Sequence, residues 1–127
     1  LLDDPGRLFS IHAMSVEDGS ILWRSPLSRA SYGAASYANG VVFAPSTFDF
    51  SIKAFDADTG LPVWASPVLG APSATPIPIG PNLIVGAGTR TTDVEYKTFG
   101  AGALDALAGP SPLAPASGVW GFKLAGR

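Results

Sequence analysis

Cysteine is absent from this 127-residue chain, so its own residues can build neither a disulfide framework nor a thiolate metal site. Histidine occurs once, at His12. Read as an outward-facing strand residue, it leaves no base for a Ser–His–Asp triad. Charge is also scarce: 14% of the residues are charged and the net charge is −2. With no basic run and no aromatic-interleaved basic patch, the electrostatic footprint of a nucleic-acid binder is missing. No apolar run approaches the ~20 residues of a membrane-spanning helix. The glycines of Gly86-Ala87-Gly88-Thr89-Arg90 lack the Gly-Lys-[Ser/Thr] ending of a P-loop. What the chain has instead is 46% hydrophobic residues with 15 Gly and 12 Pro. That mixture excludes disorder and suits many tight turns between short strands.

The ordering signal is a repeat. Ala13-Met-Ser15-Val-Glu17-Asp18-Gly19-Ser-Ile-Leu-Trp23 returns as Ala54-Phe-Asp56-Ala-Asp58-Thr59-Gly60-Leu-Pro-Val-Trp64, 41 positions later. The alignment extends to Ile11 with Ile52, Ser25 with Ser66 and Pro26 with Pro67. A period near 40 residues, made of short strands with a Gly turn and one Trp per unit, predicts an all-β fold of β-propeller blades. Each blade has four antiparallel strands, and a ring needs roughly 4–8 of them. This chain holds about two and a half to three. A blade cannot bury its faces alone, so the remainder of the propeller, in the same or another chain, is the expected partner. Leu1 is not an initiator Met, and the strand-like run Leu8-Phe-Ser-Ile11 follows almost at once. Both features favour a partner region in the same polypeptide.

Alternation and turn residues predict strands at Leu8–Met14, Ile21–Leu27, Tyr32–Tyr37, Val41–Pro45, Phe50–Phe55, Val63–Pro67, Ala74–Ile79, Leu83–Ala87 and Val119–Leu124. Asn39-Gly40 is a strong hairpin signal. Residues 1–27 then end one blade, residues 32–67 form a whole one, and residues 74–127 form a closing blade interrupted by a long loop at 89–117. The closing blade lacks its last strand, and a strand from the far N-terminus of the full protein is expected to supply it. The loop contains a stretch, Ala101–Ala108, with the composition of one or two helical turns. Loops this long in a compact domain are commonly functional or disordered.

The repeated residues have physical reasons. Gly19 and Gly60 end polar turns where positive φ is cheap only for glycine. Trp23 and Trp64 supply a large apolar plane and an N–H that needs a partner once buried. Ala13 and Ala54 leave room for a ring nearby. The pattern Ala-x-Asp-x-x-Thr-Gly-x-x-x-Trp, complete at Ala54, Asp56, Thr59, Gly60 and Trp64, resembles the tryptophan-docking motif of the pyrroloquinoline-quinone (PQQ) type propeller repeat. The earlier copy departs at Ser15 and Asp18, and the terminal unit keeps only its start, around Gly121-Phe122.

This resemblance implies a quinoprotein dehydrogenase-like propeller that oxidises a small or polymeric alcohol, with PQQ and calcium as cofactors, in a periplasmic or extracellular setting. It equally admits a non-catalytic propeller scaffold that docks a protein partner. The adjacent cysteine pair that often packs on the quinone in these dehydrogenases is missing, and no calcium ligand or catalytic base is assignable in this segment. Trp120, one residue before the Ala-equivalent Gly121, and Arg90, at the start of the long loop, are the candidate cofactor contacts. Core packing and a surface charge are their plainer roles. Asp93 and Glu95, at i and i+2, could share a face and bind a hard cation, or be two solvated carboxylates. Asp56 and Asp58 read as turn chemistry. His12, whose repeat partner is Lys53, reads as a solvated strand residue. A WD40-type propeller is disfavoured, because Trp23 and Trp64 precede Arg24 and Ala65 and not Asp.

Overall fold

The computed structural model describes residues 9–88 and 117–124. Nine strands run in chain order: β1 (Ser10–Met14), β2 (Ile21–Pro26), β3 (Ser36–Ala38), β4 (Val41–Ser46), β5 (Ser51–Asp56), β6 (Pro62–Pro67), β7 (Ile77–Ile79), β8 (Asn82–Ala87) and β9 (Gly118–Lys123). They form three antiparallel sheets in simple meander order, β1-β2, β3-β4-β5-β6 and β7-β8-β9. A single turn of 3₁₀ helix, Thr47–Asp49, joins β4 to β5. Asn39 and Gly40 both adopt positive φ, +49° and +78°, the two-residue geometry that matches the twist of a hairpin.

Two strands are shorter than the alternation predicts, and proline explains both. The β3–β4 ladder stops at Ser36↔Phe43. Pro45 has no N–H to continue it, and residues before β3 cross over β4. There the Ser31 hydroxyl donates to Pro45 O at 2.6 Å. Gly33 lies so close that a Cβ would stand 2.3 Å from the Pro45 ring. In the third sheet the ladder begins at Ile77, because Pro76 brings no donor. Strand β5 begins at Ser51, not Phe50. Phe50 instead takes a left-handed conformation, φ +49° and ψ +43°. That costs about 1–2 kcal/mol for a residue with a side chain. Burial of the ring to 1% exposure and the bond from Val68 N–H to Phe50 O hold it there.

Because side chains alternate across a strand, the register sorts residues onto two faces. Phe43, Ile52 and Ala54 of the four-stranded sheet meet Leu83, Val85 and Ala87 of the third, with Val68 between them. Trp64, Trp120, Phe122 and Leu124 pack partly buried at the margin of this cluster. Fully burying a side chain such as Ile52 or Leu83 contributes about 1.5–3 kcal/mol, so this junction is where the sheets are held face to face.

Candidate functional site

The repeated turns are built alike. Ser15 and Asp56 each donate a backbone N–H across the turn, to Ser20 O and Leu61 O, and each accepts one from the closing glycine. In the second turn Asp56 Oδ1 gathers Asp58 N–H at 3.1 Å, Thr59 N–H at 2.9 Å and the Thr59 hydroxyl at 2.8 Å. In the first turn Ser15 stands in its place, and Asp18 does the gathering, accepting from the Ser20 N–H and hydroxyl. Those Ser20 bonds hold the Asp18 carboxyl below its ordinary value.

The purpose of such rigid turns lies in the next sheet along. The Trp23 indole N–H donates to Ala57 O at 2.7 Å, linking β2 to the β5–β6 turn. Its ring lies over Gly60, where a Cβ would come within 2.5 Å of Trp23 Cε3. Glycine is therefore required at residue 60 twice over, by its φ of +72° and by the ring above it. Trp64, the repeat partner of Trp23, meets the third sheet edge-on through Phe122, with ring centroids 5.3 Å apart. Among the described residues, no acceptor stands at its indole N–H.

Around the β4–β5 connection a buried hydroxyl network joins three chain segments. The fully buried Thr47 donates its hydroxyl to Pro72 O at 2.9 Å, and the Ser31 hydroxyl lies 3.2 Å away. Nearby, Lys53 Nζ sits 2.9 Å from Asp49 Oδ2 and 3.4 Å from the Ser28 hydroxyl. Burial alone would raise the Asp49 carboxyl, but the Lys53 ammonium and the Ser28 and Ser51 hydroxyls bring it below its ordinary value.

A groove of about 930 Å³ opens between the four-stranded sheet and the third sheet. Val63, Trp64 and Ser66 of β6 form one wall, and Phe122, Lys123 and Leu124 form the other.

His12 is exposed, with Nε2 3.2 Å from Ser10 Oγ. Its equivalent Lys53, however, is not simply solvated: it reaches back to Ser28 between the first two sheets. Trp120 occupies the same place in the third sheet, one residue before Gly121 and opposite Val85. It is half-buried against the hydrophobic cluster. Asp56 makes the turn contacts above, and the Asp58 side chain is exposed. Arg90, Asp93, Glu95 and all but the last residue of the 89–117 loop lie outside the described residues. Among the described residues, no group of three or more His, Cys, Asp or Glu side chains could hold a metal ion. No helix among them is long and apolar enough to cross a membrane. The Thr47–Ser31–Pro72 network and the Asp49–Lys53 pair escape a sequence reading. Each depends on contacts between distant segments, and only the Ser-Thr content of the connections hints at them.

No family model matches the chain, and no curated protein matches it. Solved structures do. The chain aligns over 93% of its length with a quinohemoprotein alcohol dehydrogenase from Pseudomonas putida, with a TM-score of 0.68 and 25% identity. It aligns over 56% of its length with BamB from Moraxella catarrhalis, with a TM-score of 0.51 and 23% identity. It spans only 17% and 22% of those chains, about a fifth of each. The fold is thereby that of β-propeller blades, with antiparallel sheets packed face to face.

Proposed function

We propose that this chain is the C-terminal arc of a PQQ-dependent dehydrogenase-like propeller that oxidises an alcohol and passes the electrons to an acceptor. The observation that carries the reading is the likeness to the quinohemoprotein alcohol dehydrogenase, which runs through nearly the whole chain. It is joined by the complete Ala54–Trp64 turn motif. In this reading the quinone supplies the redox chemistry and the propeller supplies orientation. The described residues hold no ligand set for a cation, so calcium and the catalytic base belong to other blades, and no catalytic step is assigned to this arc. Trp120 and Arg90 are the residues proposed to approach the cofactor, and a periplasmic or extracellular location accompanies the reading.

The test is a native mass spectrum of the isolated intact protein, followed by a denatured spectrum of the same sample. Release of a quinone-sized ligand together with calcium, and alcohol-dependent reduction of an artificial acceptor dye, are the expected results. A propeller-sized species that takes up no small molecule after incubation with PQQ and Ca²⁺ overturns the dehydrogenase reading. The alternative, a non-catalytic scaffold for a protein partner, then takes its place. Trp120→Phe is expected to shift the absorbance of bound quinone, and an unchanged spectrum removes Trp120 from the cofactor site.

A further inference from the structure

The third sheet has an edge that the four-stranded sheet does not. Leu124 N–H donates to Pro81 O at 2.7 Å, which fixes the phase of the β8–β9 ladder. With Phe122 opposite Leu83 and Trp120 opposite Val85, alternation turns the amides of Phe122 and Trp120 toward β8. The amides of Val119, Gly121 and Lys123 then point to the far side. In the four-stranded sheet the matching bond is Ala57 N–H to Gly40 O, and the matching outward amide, Asp56 N–H, is taken up by Leu61 O at the start of the β6 hairpin. Among the described residues, nothing takes up the outward amides of β9. The groove between β6 and β9 lies directly under that edge and continues the buried cluster of Phe43, Ala54 and Leu83.

We propose that this edge and groove seat an extended strand, antiparallel to β9, from another part of the same propeller polypeptide. The inference rests on the fold and not on the dehydrogenase reading. Strand addition fits because the row of backbone donors and the apolar floor beneath them are both in place. The register of the complete sheet specifies the side chains. Opposite Lys53 and Phe55 stand Ala65 and Pro62. The incoming strand must therefore carry small or β-branched uncharged residues opposite Trp120 and Phe122, where the groove is walled by Trp64. A charged residue there would be buried without a partner. The source is the propeller's own polypeptide because this chain spans only 17% of the dehydrogenase it matches across 93% of its own length.

Residue-resolved amide exchange of the intact protein tests the edge. An occupied edge brings Val119, Gly121 and Lys123 within about tenfold of the exchange rates of Trp120 and Phe122, whereas an open edge leaves them faster by ~100-fold or more. The second outcome overturns the proposal. Photocrosslinking from p-benzoylphenylalanine placed at Lys123, an exposed position, identifies the occupant. A crosslink to an extended, uncharged segment of the same polypeptide is expected. Crosslinks to a second copy, detected with mixed ¹⁴N and ¹⁵N protein, to a separate protein, or to solvent alone each overturn it.

Discussion

Gly60 and Gly19 form a matched pair for measuring what the docked tryptophan contributes. Both close the same kind of turn, at φ +72° and +74°. Alanine at either position incurs the left-handed penalty of about 1–2 kcal/mol. At Gly19 the new Cβ meets nothing within 4 Å, while at Gly60 it meets the Trp23 ring at 2.5 and 2.6 Å. The indole must then lift. Lifting it weakens the bond to Ala57 O, a loss of about 0.5–1.5 kcal/mol, and wets part of the ring, at about 0.8 kcal/mol for each methylene-sized portion. Gly60→Ala should destabilise by about 3 kcal/mol and Gly19→Ala by about 1–2 kcal/mol. Urea unfolding of the intact protein reads both as midpoint shifts at unchanged m. A second arm uses Trp23→Ala as background, where the cost of Gly60→Ala should fall to that of Gly19→Ala. Equal costs at the two glycines in the parent protein, or an undiminished Gly60 cost without Trp23, would refute the clamp.

Thr47→Val keeps the shape and removes the hydroxyl that bonds Pro72 O, so a loss of about 1–3 kcal/mol is expected in the same unfolding assay. A loss below about 0.5 kcal/mol would mean that the network holds nothing together. Asp49 titrates below its ordinary 3.8 in the folded state. Its contribution is therefore fully present above that value and is lost as pH falls through the folded pKa. Lys53→Met removes this dependence, so the stability gap between parent and variant should shrink below pH 3.8. A gap of the same size at pH 7 and pH 3 would exclude the pair as its source.

What the sequence made legible is whatever repeats or is local. The Ala-Gly-Trp spacing placed the turns of Gly19 and Gly60, and alternation placed β4, β6 and β8 to within a residue at either end. Prolines inside apolar runs misled it: Tyr32–Tyr37 and Ala74–Ile79 alternate like strands, yet Pro45 and Pro76 withhold the donors a ladder needs. Phe50 reads as the first residue of a strand because nothing local marks a left-handed phenylalanine. Its conformation is imposed by burial and by Val68, 18 residues on. Lys53 shows the limit of reading a position from its repeat partner. His12 is open and Lys53 is paired, since only the latter has a preceding sheet to reach, through Ser28. The candidate site was least legible of all, because contacts such as Thr47 to Pro72 join segments with no sequence signature in common.

The Trp23 bond to Ala57 also sets a direction in time. Each sheet fastens to the hairpin of the sheet that follows it, across 34 residues of chain. On a ribosome adding about 5–20 residues per second, β1 and β2 emerge seconds before the turn that will secure them. The nascent chain always carries one unlatched unit at its growing end, and a translational pause just before residue 57 would prolong that exposure. Stalling there, more than anywhere within a finished sheet, is where a chaperone would find its hold.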